Sequence, residues 1–383
     1  MKTTWKILIP IFFALALLLG FVQRQHLADF AFGAKTTTQY FTDSDDKSLA
    51  DYFQEGLQIR GLGSQPASTT VTFLAVGDIN LSRGVATNIQ KAGDANLPFL
   101  GMADILKSTD FNFANLESPL ASTGNEIVGG HSLVFGAPLD YAKSLVDFKF
   151  KILNLANNHA FDLGLGGINT TRTTLDNLGI IHEGTGDNLD QAWTPAPVTV
   201  NGIKICFIGA SYSSINDSGK ATNNYVARTG DLDRLKSAIH NSQLSCDFTI
   251  VTMHAGVEYT RTPTDAQTTF ARAAIDDGAD IVIGAHPHWV QTIDQYKGKY
   301  IFYSLGNFIF DQDWSEDTSE GLTLRITLSK ATQSTLQGSR KPANLDSIQL
   351  IPIIIKNTAP RAATQQETKA ILSKINETQT ELK

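Results

Sequence analysis

Cysteine is almost absent from this 383-residue chain, which carries only Cys206 and Cys246. Two cysteines are too few for a disulfide framework or a thiolate zinc site. Both lie in or beside apolar runs (203–209 and 248–253), so they read as buried thiols packing as small hydrophobes. Charge is also sparse, at 18% of residues, and leans acidic: 31 Lys+Arg against 38 Asp+Glu, a net −7. A nucleic-acid partner is therefore not expected. The same balance disfavours an anionic ligand unless bound cations offset it.

Long apolar runs are missing too, with one exception. Lys2 and Lys6 precede an uncharged, mostly apolar stretch at 7–22. It is long for a signal-peptide core and slightly short of the ~20 residues that span a bilayer. Trp5 and the two lysines extend its reach into the interface. No small-x-small site follows Val22 directly, the nearest being Ala31-Phe32-Gly33-Ala34. Residues 1–24 thus read as a signal-anchor helix rather than a cleaved signal, with the amino terminus cytoplasmic and the rest outside. Residues 25–69, ending in "GLGSQPASTT", read as a flexible tether with one short helix near 49–57.

From Thr70 onward, short β-rich runs alternate with helical stretches, predicting an α/β domain with some antiparallel pairing. The runs fall at 70–76, 111–116, 151–156, 204–209, 248–254, 281–284 and 300–304. "TPTDAQTTFARAAIDDG" predicts a helix with Thr262 as N-cap, Pro263 at its first position and Gly278 as its stop. "GINTTRTTLDNLG" predicts another that ends on Gly179. Asn201-Gly202 in "VTVNGIKI" predicts a hairpin. Residues 331–383 complete the domain: a flexible loop over 329–344, a strand over 346–355 and an amphipathic helix over 365–382.

Most of the predicted strands end in residues that bind metal or phosphate. Asp78, Asn80 and Arg83 follow the first, Asn115 and Glu117 the second, and Asn157, Asn158, His159 and Asp162 the third. His254 ends the fifth, and His286 and His288 follow the sixth. Ligand groups in open α/β sheets collect at the carboxyl ends of strands. Taken singly, each element has a plain reading: a Gly-Asp turn, a helix cap, a core histidine. Together they point to a dinuclear metal site, in which a carboxylate bridges two cations and neutral imidazoles and an amide oxygen complete the set. Donors of this kind without thiolates suit Zn, Mn or Fe.

"VGDINLSRGV" (76–85), "NLESPL" (115–120), "NLANNHAFDLG" (154–164), "HAGVEY" (254–259), "GAHPHWVQ" (284–291) and "YSLGNFIFDQ" (303–312) stand in this order. In these motifs, and in the closing strand "LIPIII", the chain resembles the CapA family of capsule and poly-γ-glutamate biosynthesis proteins. These belong to the calcineurin-like metallophosphoesterase superfamily. The resemblance implies a four-layer αββα sandwich over about 70–330, completed by the C-terminal elements. It also implies two divalent cations, with Asp78 and His288 on the first and Asn158, His254 and His286 on the second. Glu117 would bridge them. His159 would be general acid or transition-state stabiliser, oriented by Asp162, and Arg83 would hold a phosphoryl oxygen. Metallophosphoesterases usually present Asp-x-His in the first motif, whereas this chain has Asn80, a weaker ligand.

Two functions follow from the resemblance. One is a membrane-tethered, extracytoplasmic metal-dependent hydrolase acting on a phosphoester or related bond during capsule synthesis. The other is a non-catalytic accessory subunit whose metal pocket binds an anionic extracellular polymer and serves a membrane synthase complex. A third reading is an extracytoplasmic hydrolase unrelated to capsule.

Overall fold

The computed structural model describes residues 68–121, 134–212, 224–331 and 342–383. The expected anchor and nearly all of the tether lie outside these residues, as does most of the expected 329–344 loop. No helix among the described residues is long and apolar enough to cross a membrane.

Two sheets organise the domain. The first has nine strands. Its main path runs β14-β13-β12-β1-β2-β3-β4, where β1 is Ser68–Ile79, β2 Phe111–Leu116, β3 Phe150–Asn154, β4 Ile181–Glu183, β12 Glu320–Ala331, β13 Asn344–Lys356 and β14 Ala359–Ala362. Two short strands join off this path, β11 (Asn307–Ile309) beside β1 and β15 (Glu381–Leu382) beside β13. The second sheet has six strands in the order β9-β10-β8-β7-β6-β5. These are Ile293–Tyr296, Lys299–Phe302, Ile281–Ala285, Phe248–His254, Ile203–Ser211 and Ala196–Val200. β1 to β4 pair in parallel, as do β6, β7, β8 and β10, so each sheet has a parallel block whose carboxyl ends gather together.

The sheets meet face to face through one core that includes Phe73, Phe111, Phe207, Phe248, Ile281 and Leu324. On the far face of the first sheet, Leu74 and Phe150 pack against Val85 and Ile89 of helix α1 (Arg83–Ala92) and Leu175 of α2 (Gly164–Asn177). On the far face of the second, Val251 and Val282 pack against Leu235 and Ile239 of α3 (Leu232–Ser245) and Phe270 and Ala274 of α4 (Asp265–Asp276). The order of layers is helix, sheet, sheet, helix.

Several local expectations hold for stated reasons. Asn201 (φ 50°) and Gly202 (φ 75°) both take the left-handed conformations that a tight hairpin between β5 and β6 requires. Gly179 (φ 70°) closes the chain just after α2.

Four expectations are corrected. The N-cap of α4 is Thr264, not Thr262, because Thr264 and Gln267 satisfy each other's backbone N–H groups in a capping box. The expected 365–382 helix stops early. α5 spans Gln365–Lys374, Asn376 turns left-handed (φ 60°), and the chain returns as β15. β12 was not expected, yet it lies inside the first sheet between β13 and β1, with Leu322, Leu324, Ile326 and Leu328 alternating into the core. Finally, Cys206 and Cys246 are not free thiols but form a disulfide, their Cα atoms 5.7 Å apart. Helix α3 returns the chain from β6 to the start of β7, which brings Cys246 beside the neighbouring strand.

Candidate metal centre

The carboxyl ends of the two parallel blocks face each other, and there the backbone is drawn unusually close. A Cβ on Gly77 would lie 1.9 Å from the Gly306 carbonyl oxygen, and one on Gly284 would lie 2.0 Å from that of Tyr303. Only glycine fits at either place. Beyond them the chain delivers Asp78 and His286.

Asp78 is fully buried; its Oδ1 accepts from Asn115 Nδ2 (2.8 Å) and its Oδ2 from the His286 backbone N–H (3.3 Å). Glu117 is equally buried, and neither of its carboxylate oxygens has a hydrogen-bond partner. Its Oε1 lies 3.7 Å from His254 Nε2, 3.8 Å from His159 Nε2 and 4.0 Å from His288 Nε2. His254 Nε2 meets Asn158 Oδ1 at 2.6 Å, and His286 Nδ1 is buried with no partner.

Two groups of side chains converge closely enough to hold a cation: Glu117 with His254 and His286, and Asp78 with Glu117 and His288. Glu117 belongs to both. A buried acid with two orphaned oxygens, facing an orphaned imidazole nitrogen, is costly unless a cation sits among them. The residues present therefore fit a divalent metal, as does the oxygen–nitrogen donor set.

Electrostatics point the same way. Burial pushes the Asp78 carboxyl up to about 7, against the opposing pull of the Asn115 and His286 N–H groups. Burial raises Glu117 well above the usual carboxylate range, with Asp78 adding to the effect. Burial also lowers His254 and His286 well below the ordinary imidazole value and brings His288 to about 3. The imidazoles thus present neutral lone pairs, the form that ligates metal, and a cation would favour the ionised acids.

The backbone carrying the histidines is held in sparsely populated conformations: His286 has φ 102° and His288 φ 58°. Such residues persist where their surroundings fix them, at a cost of about 1–3 kcal/mol each. Pro287 lies between them, and its carbonyl accepts from Tyr259 N–H (2.8 Å).

At the edge of the cluster, His159 Nδ1 pairs with Asp162 Oδ2 at 2.7 Å, so Asp162 is placed to orient the ring. Phe135 stacks on His159, centroids 3.7 Å apart, and its N–H donates to the same Asp162 oxygen (2.6 Å). The Arg83 guanidinium lies 4.7 Å over the Phe135 ring but is paired with Asp311, Nε to Oδ2 at 3.2 Å. Asn80 does not turn its oxygen to the cluster: Oδ1 accepts from the N–H (2.8 Å) and hydroxyl (2.5 Å) of Ser82, fixing the entry to α1. Asn157 likewise shapes a turn, receiving the His159 N–H (3.1 Å) and donating to the Leu116 carbonyl (2.8 Å).

The structure therefore brings Asp78, Glu117, Asn158, His254, His286 and His288 together, with His159 and Asp162 adjacent. Sequence reasoning counted Asn115 only among the polar residues at strand ends and assigned no role to Phe135, Asn307 or Asp311. Three of these four lay inside quoted motifs, but nothing in a lone Asn or Asp reveals that it holds a neighbour's side chain.

Sequence comparison matches residues 72–312 to the family model described as bacterial capsule synthesis protein PGA_cap. The chain is 29% identical over 321 residues to the capsule biosynthesis protein CapA of Bacillus anthracis, covering 80% of this chain and 78% of that one. It is 33% identical over 252 residues to the PGA biosynthesis protein CapA of Bacillus subtilis (strain 168), covering 64% of this chain and 65% of that one. Among solved structures, Haemophilus influenzae NAD nucleotidase aligns over 82% of this chain and 57% of its own, at 12% identity and TM-score 0.44. A 5'-nucleotidase precursor from Thermus thermophilus aligns over 80% and 58%, also at 12% identity and TM-score 0.44.

Proposed function

Given that this chain belongs to the bacterial capsule synthesis protein family PGA_cap, we propose that it acts in the cell envelope on capsule or poly-γ-glutamate synthesis through a two-cation hydrolytic centre. One observation carries this reading: Glu117 is shared between the two groups of side chains that can hold a cation. Asp78 and His288 would serve the first ion, and Asn158, His254 and His286 the second. Bound there, the cations would polarise water and the scissile phosphoester or related bond.

The chain's own residues supply the rest. Glu117 and Asp78 set the spacing and charge of the centre. His159, oriented by Asp162 and backed by Phe135, is placed to hold or donate a proton at Nε2 as the leaving group departs. The covering aromatic ring limits water around that imidazole. An extracytoplasmic location agrees with the Cys206–Cys246 disulfide, a bond that persists in oxidising compartments. A single-pass anchor at 7–22 would hold the domain at the membrane.

The accessory-subunit reading is favoured by a different observation. Arg83, expected to grip a phosphoryl oxygen, is already paired with Asp311, and the Asn80 oxygen is occupied by Ser82. In that case the centre binds polymer carboxylates without turnover. Metal content of the purified protein, measured with hydrolysis of a phosphodiester and of a γ-glutamyl amide, separates the two. Turnover lost in His159→Ala at full metal content supports the hydrolase. Tight metal binding with no hydrolysis of either substrate overturns it.

A further inference from the structure

We propose that Asn307 is a positioning residue that fixes which nitrogen of His288 faces the metal centre, and that the strap after it holds Asn307 in place. His288 Nδ1 lies 2.9 Å from Asn307 Oδ1. The orientation of that amide is set by its other side: Nδ2 donates to Gln312 Oε1 (3.2 Å) and to the Thr318 carbonyl (3.0 Å). With both amide hydrogens directed to acceptors, Oδ1 is the acceptor that meets the imidazole. Nδ1, which also lies 3.6 Å from Asp78 Oδ2, must then carry the ring proton, and the lone pair stands on Nε2, 4.0 Å from Glu117 Oε1. A ligating histidine depends on such a partner for both tautomer and ring orientation.

Asn307 is fully buried at the start of β11, and its strand neighbour is Asp78, so one register position serves both sides of the same ion site. The strap supplying its two acceptors is pinned from within and without. Thr318 donates its hydroxyl to the Gln312 carbonyl (2.7 Å), and Lys374 of α5 reaches Asp317 (2.8 Å) and Glu320 (2.9 Å). The C-terminal helix thereby supports a ligand of the centre without approaching it.

This inference rests on the metal reading above, but its first readout does not. In metal-free full-length protein labelled with 15N-histidine, the His288 signal, assigned by its loss in His288→Ala, should show the Nδ1-protonated form. Asn307→Asp keeps an acceptor and should keep that form. Asn307→Leu removes it and should give the other tautomer or a mixture, with Zn2+ affinity reduced about 10–100-fold. Should Asn307→Leu not fold, Asn307→Ser, whose hydroxyl is too short to reach Nδ1, is read in its place with the same expectation. An Nδ1 without its proton in the unsubstituted protein overturns the proposal, as does a Leu or Ser variant with unchanged tautomer and Zn2+ affinity. If the tautomer behaves as stated but the unsubstituted protein binds no cation, the positioning role stands and the metal reading falls.

Discussion

The two sheets meet at one site but contribute opposite chemistry to it. From the first come the acids and amides, Asp78, Glu117 and Asn158, along with the His159–Asp162 pair. The second sends only imidazoles, His254, His286 and His288. Of the first-sheet acids, Asp78 is held by Asn115 and the His286 N–H while neither Glu117 oxygen has a hydrogen-bond partner; His286 and His288 sit on strained backbone, and the His288 ring also meets Asn307. A cation centre needs negative charge and neutral bases together, and each kind of group is costly to bury without the other. Placing them on separate sheets means that the centre forms only when the two are packed face to face. The second sheet alone carries the disulfide.

The largest expected effect breaks the first-sheet contribution to chemistry alone. On the hydrolase reading, His159→Ala should lower turnover by about 10²–10⁴-fold with metal content unchanged, because that reading makes His159 a proton carrier and not a ligand. Turnover assays beside metal analysis check this. Next, removing the covalent tie peculiar to the second sheet should show how far that sheet depends on it. Closing 40 residues by a disulfide stabilises by about 4 kcal/mol in the chain-entropy account. Cys206→Ser with Cys246→Ser, compared by denaturant titration, should therefore be markedly less stable while keeping its metal.

A third test addresses the join between the sheets. Glu183 at the end of β4 accepts from Thr252 of β7 at 2.7 Å, while its second oxygen is buried without a partner. Burial raises this carboxyl from the ordinary 4.5 to about 8. Its stabilising contribution is thus complete below about pH 4.5 and is lost as pH rises through about 8. Glu183→Gln should remove that dependence and be more stable than the unsubstituted protein at pH 9, on the order of a few kcal/mol, in melts run across pH. The smallest effect belongs to the strap: Lys374→Met should cost about 1 kcal/mol of stability, since its ion pairs are partly solvated.

The fold was largely legible where periodicity and strand termini were strong. β2 and β7 were read to the residue, and the polar residues at the strand ends pointed to the side chains that converge in the cluster. β12 escaped because its Thr, Arg and Ser positions dilute an alternation that only the core face shows. The disulfide escaped because pairing depends on α3 returning the chain to a neighbouring strand, a long-range event that two isolated cysteines do not announce. In the site, residues that would touch a metal were legible from their type. Asn115 and Asn307 were not, since a supporting amide is recognised only by the groups it meets. Arg83 and Asn80 show the converse: their type suggested function, and Asp311 and Ser82 occupy them.

If Glu117 joins two cation positions, the number of ions that the protein holds depends on it. Counted by elemental analysis after loading with Zn2+ or Mn2+, the unsubstituted protein should hold two ions per chain, His288→Ala one, and Glu117→Gln essentially none. A Glu117→Gln protein that keeps its full complement, or an unsubstituted protein that never exceeds one ion, would contradict the account.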